Sequence, residues 1–373
     1  MKCPDPLAWA AKSPLQGSPL QGGRFAAGQA SPGGRAFGAT NHASGHPGAG
    51  PATRRCPSSP TRLSKRHRFW TRPAVDYDVI IVGAGPAGLS AALILGRCRR
   101  KVLVLDTDRP RNAASHAVHG FLTRDGTHPA EFRRLARQQL TQYRSVKLAR
   151  KEATRACAVK GGFEVTVADG TRLRCRKLLI ATGVVDELPP IEGLDAFYGR
   201  SVFHCPYCDG WESRDLPIAV YARSANGVGL AIELTVWSKD IVLCTDGVRI
   251  GSKHVERLTR YNISWRREPI ARLEGSRGKL RRIVFENGES LARRVMFFSM
   301  GQRQGSDLAQ QLGCGFTSRG AVRTGEYEVT DIAGVYVAGD ASKMVQLAIV
   351  AAAEGAQAAF AINTALVTED FGK

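Results

Sequence analysis

The sequence lacks three features that would point away from an ordinary globular protein. Nine cysteines among 373 residues are too dilute for a disulfide-stapled scaffold. The 40 glycines follow no Gly-X-Y period, which excludes collagen. No run approaches the roughly 18 consecutive apolar residues of a membrane span, so we expect no membrane insertion. What remains is an intracellular globular protein, which we expect to be a cytoplasmic enzyme.

Acidic residues are nearly absent from the first 72 positions. This stretch holds eleven Lys and Arg residues but a single acid, Asp5, and so carries half of the net charge of +20. The other half is spread thinly over the rest of the chain, without a basic stripe interleaved with aromatic residues. We therefore expect no nucleic-acid partner.

The same 72 residues are rich in Gly, Pro, Ser and Ala and show neither helical nor strand periodicity. Such a segment buries too little apolar surface to offset the entropy of ordering, so we predict a disordered extension over residues 1–72. Two alternatives stay open. An Arg-rich, acid-poor leader is typical of an organelle transit peptide, and a translation start placed upstream of the true one would give the same change in composition.

A strand, a glycine-rich turn, a helix and a second strand follow in direct succession. Residues 78–82 are mostly apolar and β-branched, as in a strand buried on both faces of a parallel sheet. The turn at 83–88 reads Gly-Ala-Gly-Pro-Ala-Gly and precedes a helical pattern over 89–95. A second apolar strand at 102–105 ends in Asp106. This order predicts a dinucleotide-binding unit of Rossmann type.

Each part of that turn has a physical reason. Gly83 permits the tight bend, Gly85 lets backbone N–H groups approach a pyrophosphate, and Gly88 lets the helix pack closely on the strand. Asp106 lies 23 residues beyond Gly83, where it can accept a hydrogen bond from a ribose hydroxyl. We therefore expect the pyrophosphate at the N-terminus of the helix.

Two later strands also end in small turns. Residues 178–180 run into Ala181, Thr182 and Gly183, and residues 334–338 run into Gly339 and Asp340. With the first turn, this trio resembles the two-dinucleotide-domain flavoproteins and, among them, the low-molecular-weight thioredoxin reductase family. The resemblance runs from about residue 77 to residue 360.

The resemblance implies FAD as cofactor. In that family the first turn holds FAD, the Ala-Thr-Gly turn closes over it, and the late aspartate meets its ribityl chain. A helix that opens after the late turn aims its N-terminus at the flavin, where partial positive charge stabilises a reduced anionic ring. The implied cofactor-binding residues are Gly83, Gly85, Ala87, Gly88, Asp106, Ala181, Thr182, Gly183, Gly339, Asp340, Gln346, Leu347 and Ala348.

A Cys-Pro-Tyr-Cys sequence at 205–208 is the candidate reactive pair. CxxC spacing allows a disulfide at the start of a helix, where the pKa of one thiol is lowered. A zinc half-site is the alternative, but the other cysteines are isolated in the sequence. The family resemblance implies that Cys208 faces the flavin, Cys205 attacks the substrate disulfide and Asp209 supplies a proton. His204 has no assigned role, and either proton transfer or simple packing fits it.

A second, smaller nucleotide-type unit is predicted between residues 216 and 298. Its strands are expected at 218–221 and 241–244, with a helix at 229–234. The turn at 222–227 reads Ala-Arg-Ser-Ala-Asn-Gly, so Cβ atoms oppose a close approach of pyrophosphate, and Asp246 stands where NADPH-binding relatives have basic residues. NADPH or NADH as electron donor is therefore open to doubt.

We predict an α/β fold with two Rossmann-like dinucleotide-binding domains, the smaller inserted in the FAD domain. The FAD domain covers 76–195 and 300–373, and the inserted domain covers 197–298. The leading hypothesis is an FAD-dependent disulfide oxidoreductase, a homodimer, acting on a thioredoxin-like protein or a small dithiol or disulfide.

One alternative is an oxygen-using dithiol oxidase. That subgroup also has a Cys-Pro-Tyr-Cys-like pair, an altered second loop and a segment like the one at 119–126. The other alternative is a flavin-containing redox sensor without turnover, which the intact cysteine pair disfavours.

Overall fold

The structure is a computed structural model that describes residues 75–372. The prediction for residues 1–72 therefore lies outside the described residues. The helices are α1 (Pro86–Arg97), α2 (Pro129–Leu140), α3 (Pro206–Asp209), α4 (Asn226–Glu233), α5 (Ser252–Arg260), α6 (Leu308–Gln311) and α7 (Ala348–Phe371).

The strands of the first part of the fold are β1 (Tyr77–Val82), β2 (Val102–Leu105), β3 (Val146–Ala149), β4 (Ala153–Val159), β5 (Gly162–Val167), β6 (Arg172–Ile180) and β7 (Val184–Asp186). Those that follow are β8 (Val202–Phe203), β9 (Ile218–Tyr221), β10 (Ile241–Cys244), β11 (Ser264–Arg266), β12 (Ile270–Ser276), β13 (Lys279–Phe285), β14 (Ser290–Ala292), β15 (Val295–Phe298), β16 (Gln302–Gln304) and β17 (Val335–Val337).

The larger sheet has seven strands in the order β3-β2-β1-β6-β5-β4, with β17 also paired to β6. Strands β3, β2, β1, β6 and β17 run parallel, and β4 and β5 are antiparallel additions. Successive residues of β1 enter two cores: Val79 and Ile81 pack with the residues of α1 and α7, and Ile80 and Val82 pack on the opposite face. Burial on both faces explains the continuous apolar run of this strand.

Helix α7 packs along α1 at very short range. A Cβ at Gly355 would lie 2.0 Å from the carbonyl oxygen of Ala87, so only glycine allows this crossing. By length and composition alone, α7 is long and apolar enough to cross a membrane, although polar residues such as Glu354 and Gln357 interrupt its apolar run. In this fold its Ala358, Ile362 and Leu366 lie fully buried in the core that contains α1.

The second sheet is parallel throughout, with five strands in the order β11-β10-β9-β15-β8. A three-stranded antiparallel sheet, β12-β13-β14, belongs to the same part of the chain. The chain leaves the larger sheet through β7 and returns through β16, and these two strands pair antiparallel. The predicted α/β fold with two Rossmann-type sheets is confirmed.

Candidate active site

The first glycine-rich turn is shaped by two close backbone approaches. Gly83 has φ +105°, and a Cβ there would lie 2.2 Å from the carbonyl oxygen of Ala181. A Cβ at Gly88 would lie 1.9 Å from the carbonyl oxygen of Gly83. Both glycines are therefore required by the fold itself, because any larger residue would push β1, α1 and the 181–183 turn apart.

Gly85 is different, because no atom lies within 4 Å of the position that its Cβ would occupy. It is the N-cap of α1, and neither a capping side chain nor an acidic residue in the first turn engages that helix end. The helix therefore presents N–H groups and partial positive charge to an open space, which suits a phosphate group. We call this open space in front of Gly85 and the start of α1 the cradle, and it fits the pyrophosphate of FAD.

Asp106 lies at the tip of β2, beside the same cradle. Its carboxylate accepts a hydrogen bond from the backbone N–H of Ala84 at 3.3 Å and pairs with Arg137 at 2.6 Å. The acid is thus tied to the glycine-rich turn, in the place where a ribose hydroxyl would meet it.

The two later turns converge on the first one. A Cβ at Gly183 would lie 3.9 Å from the Cβ of Asp340, and a Cβ at Gly339 would lie 3.1 Å from that of Ala87. The hydroxyl of Thr182 lies 3.1 Å from that of Ser306. The predicted cofactor residues from three distant parts of the sequence therefore come together around the start of α1.

A buried carboxyl group supports the late turn. Glu354 of α7 is 6% exposed, and its carboxylate accepts a 2.7 Å hydrogen bond from the N–H of Gly339. Burial raises the pKa of Glu354 to about 7. This contact holds the backbone next to Asp340.

Arg111 is a site residue that sequence reasoning missed. Its guanidinium donates to Asp340 and Gln346, each at 2.8 Å, and forms a two-pronged pair with Asp186. Burial alone would lower the pKa of Arg111, but the two carboxylates raise it. No local pattern marks this residue, because its partners lie 75 to 235 residues away.

The start of α7 lies in the same network. Leu347 is the N-cap of a helix that begins at Ala348, and no side chain caps this end. Gln346, one residue earlier, exchanges 2.9 Å hydrogen bonds with Gln302 of β16. The three predicted residues at 346–348 thus lie beside Arg111 and the late turn.

Cys205 and Cys208 are joined by a disulfide, with Cα atoms 5.3 Å apart. Cys205 is the N-cap of α3, the single helical turn that contains Cys208. Two aromatic side chains beside the pair face outward: Tyr207 is 68% exposed and Trp211 is 65% exposed. The pair therefore sits on a short turn with apolar surface around it.

Asp209 follows the pair and is half-buried. Burial raises the pKa of Asp209 to about 7, while the charge of His119 lowers it and that of Glu212 raises it. A carboxyl group that titrates near neutrality can donate and recover a proton at physiological pH. Its position next to Cys208 suits it to protonate a departing thiolate.

A cavity of about 340 Å³ lies beside the cysteine pair. Its walls come from the end of β7, the two residues that flank Cys205, helix α4 and the segment from the end of β15 to the start of β16. The lining residues are Asp186, His204, Pro206, Asn226, Leu230, Glu233, Phe298, Ser299, Met300, Gly301 and Gln302. His204 lies 3.8 Å from Asp186, and burial lowers the pKa of His204 despite that carboxylate. The histidine without an assigned role thus lines this cavity as a neutral ring at neutral pH.

The second loop keeps the helix packing of a nucleotide unit but not its open cradle. A Cβ at Gly227 would lie 2.4 Å from the Cβ of Ala222, so α4 packs closely on β9. Asp246, at the tip of β10, accepts 2.9 Å hydrogen bonds from the Tyr221 hydroxyl and the Ile270 N–H. Arg223 lies 3.8 Å from the same carboxylate. These contacts hold an acid at the usual ribose position, as Ala84 and Arg137 hold Asp106 in the first unit.

As to the zinc alternative, the structure over residues 75–372 shows no group of three or more His, Cys, Asp or Glu residues that could hold a metal ion.

The family model described as pyridine nucleotide-disulphide oxidoreductase matches residues 77–355. The chain belongs to this family. It is 32% identical over 306 residues to the "Probable thioredoxin reductase" of Arthroderma benhamiae, covering 72% of this chain and 75% of that protein. It is also 32% identical over 284 residues to thioredoxin reductase tcpT of Claviceps purpurea, with coverage of 72% and 88%.

A solved structure with similar sequence has the same fold. An oxidoreductase from Agrobacterium tumefaciens superposes with a TM-score of 0.73 at 32% identity, over 78% of this chain and 98% of the other. Membership in the family confirms the predicted enzyme class: the chain is a thioredoxin reductase-like, FAD-dependent oxidoreductase acting on disulfides. It also confirms FAD as the implied cofactor, and NAD(P)H is a donor that the family can use.

Proposed function

We propose that the enzyme moves electron pairs between FAD and the Cys205–Cys208 disulfide, and from there to a dithiol or disulfide partner. The observation that carries this proposal is the position of a disulfide on α3, directly before the half-buried carboxyl group of Asp209, whose pKa is raised to about 7. FAD, when bound, supplies a two-electron donor and acceptor. The residues of the chain then carry out thiol–disulfide exchange.

Exchange with a partner disulfide proceeds in two steps, each a thiolate attack on a disulfide sulfur. The Cys205 thiolate attacks one partner sulfur, which forms a mixed disulfide and releases the other partner sulfur as a thiolate. Asp209 protonates a departing thiolate. The Cys208 thiolate then attacks the Cys205 sulfur, so that the enzyme disulfide re-forms and the second partner sulfur leaves as a thiolate, which takes a proton from water. The partner gains two electrons and the enzyme pair loses them.

Two serine variants test this assignment. Cys205→Ser leaves a thiolate at Cys208 that contacts the flavin, so we expect a long-wavelength charge-transfer band at neutral pH. Cys208→Ser has no sulfur at that position, so we expect no band and no disulfide turnover. Absorption spectra and turnover assays of the two FAD-loaded proteins measure both effects. A band only in Cys208→Ser would reverse the roles, and unchanged turnover in both variants would refute the proposal.

A second candidate function is a dithiol oxidase that passes electrons from a small dithiol through the cysteine pair to flavin and then to oxygen. The 340 Å³ cavity beside Cys205 favours it, because the space suits a small molecule. The altered loop at 222–227, whose Cβ atoms oppose a close approach of pyrophosphate, also favours a donor other than a nicotinamide nucleotide. Anaerobic stopped-flow reduction of the flavin by NADPH, NADH and a small dithiol, run side by side, separates the two functions.

We further propose that the protein is a homodimer through the outer face of α7. Phe360 and Phe371 of this helix are exposed, and the ring of Tyr327 lies 5.8 Å from that of Phe360. An apolar helix face of this kind is costly in water and suits a second copy of the chain. Light scattering of wild type and Phe360→Glu tests this proposal, since the substitution should produce monomers.

A cytoplasmic location is also a proposal. Cys98, Cys157, Cys175, Cys244 and Cys314 are free thiols in the structure over residues 75–372, as is usual in a reducing compartment. Fractionation of cells that produce the tagged protein tests it.

A further inference from the structure

The two strands that connect the domains carry a buried carboxylate, Asp186, at their centre. It ends β7 and stands directly opposite Gln302 in the antiparallel pair with β16. In the part of the chain that the structure describes, β7 leads from the larger sheet towards the second unit and β16 leads back. A side chain held firmly on these connecting strands therefore affects the relative orientation of the two units.

The partners of Asp186 come from both sides of the connection. From the FAD domain, Arg111 donates to its two carboxylate oxygens at 2.6 and 2.8 Å. From β16, the side chain of Gln302 donates at 2.9 Å. From the inserted domain, the Tyr198 hydroxyl donates at 3.4 Å, and the ring of His204 lies 3.8 Å away.

Burial makes this arrangement rigid. The Asp186 side chain is 6% exposed and that of Arg111 is 16% exposed. Burial by itself would raise the pKa of Asp186, but the Arg111 hydrogen bonds and charge keep the pKa below its usual value. A buried, two-pronged Arg–carboxylate pair fixes orientation as well as distance, because both hydrogen bonds must form in one plane.

Each end of the network touches a part of the reaction site. Arg111 also donates to Asp340 and Gln346, which are predicted flavin contacts. His204 directly precedes Cys205 in the sequence. The carboxylate thus links the predicted flavin contacts, through Arg111, to His204, the residue before Cys205.

We infer that Asp186 is a positioning residue that fixes the domain bearing Cys205 and Cys208 in the orientation in which Cys208 meets the flavin. It takes no part in bond making itself. This inference rests on the proposed function, because it assumes that Cys208 contacts the flavin. Without Asp186, the FAD domain still binds its cofactor, but the inserted domain samples other orientations.

The charge-transfer band of the Cys205→Ser protein tests this inference, because the band requires contact between the Cys208 sulfur and the flavin. Asp186→Asn in that background keeps the side-chain shape and removes the charge that holds Arg111. We expect the band to fall at least threefold at equal FAD occupancy. Asp195→Asn, at an exposed acid nine residues further along the chain, is the matched control and should leave the band unchanged.

Gln302→Leu is a milder second variant, because its side chain is exposed and the backbone pairing of β16 stays intact. It removes one hydrogen bond to Asp186 and the two that Gln302 exchanges with Gln346, and we expect a smaller loss of the band than in Asp186→Asn. If both variants bind FAD and keep the full band, the inference is wrong while the proposed function stands. If Cys205→Ser alone shows no band, the proposed function fails and this inference fails with it.

Discussion

The two nucleotide-type loops have the same strand-to-helix architecture but different space in front of the helix. At 83–88, Gly85 leaves an open cradle before the uncapped start of α1. At 222–227, side chains stand where the first loop has glycine. Helix packing is preserved in both, through Gly88 and Gly227. Gly88 and Gly227 are thus required for helix packing, whereas Gly85 leaves space for a ligand.

The inserted domain carries the cysteine pair instead of an open cradle. We therefore expect the two domains to have separate roles. Changes in the first domain should alter FAD affinity, and changes in the inserted domain should alter electron exchange. Variants at Asp209, Gly85 and Asp246 each test this separation of roles.

The largest effect is expected from Asp209→Asn in the inserted domain. Asparagine cannot donate the proton that a departing thiolate needs, so turnover should fall about 100-fold, within the range for loss of a general acid. The wild-type rate should decline as pH rises through about 7, because Asp209 then loses its proton, whereas the variant should be slow and flat with pH. Steady-state pH profiles measure both.

The FAD content of Asp209→Asn is the control for that experiment. It should equal that of wild type, because the residue lies outside the first domain's cradle. A variant that turns over normally, or one that loses FAD, would contradict the separation of FAD binding from electron exchange.

A smaller effect is expected from Gly85→Ala in the first domain. The methyl group meets no protein atom within 4 Å, and the backbone of Gly85, at φ −76°, suits alanine. The thermal midpoint of the apoprotein should therefore stay unchanged. FAD affinity should fall about 10-fold, because the methyl group enters the space where the pyrophosphate approaches the backbone. Flavin fluorescence titration measures the affinity.

Gly229→Ala is the matched variant in the second domain. A Cβ at this α4 position also meets nothing within 4 Å, so FAD affinity should be unchanged. Equal losses in both variants would show that helix effects, and not the cradle, govern FAD binding.

The parts of the fold that local sequence patterns predicted are the buried parallel strands and the turns that follow them. Strands β2, β9 and β10 begin and end where expected, because a strand buried on both faces is a continuous apolar run bounded by turn residues. Helix α4 begins at Asn226 instead of residue 229, since its first turn overlaps the loop. The antiparallel strands β12 to β14 were not predicted, because their half-exposed residues carry many charges.

The site was predictable only where its residues lie in local motifs. Gly83, Asp340 and Cys205 are marked by neighbours in the sequence. Arg111 and Asp186 are marked by nothing local, because an ion pair between residues 75 positions apart exists only after the strands assemble. The three-residue strands β7 and β16 are also too short to show a period.

The smallest effect is expected from Asp246→Asn, which changes the choice of electron donor. The carboxylate lies at the tip of β10, where the 2′-phosphate of NADPH would approach and be repelled, whereas NADH carries no such phosphate. Asparagine keeps an acceptor for the Tyr221 hydroxyl or the Ile270 N–H but removes the charge. The ratio of flavin reduction rates with NADPH and NADH should therefore rise about threefold to fivefold, as expected for the loss of one partly screened repulsion. Anaerobic stopped-flow measurements at two salt concentrations test this, since screening should shrink the difference. A ratio that is the same in wild type and variant would mean that neither nucleotide places its ribose at β10, and the second loop would then be a structural remnant only.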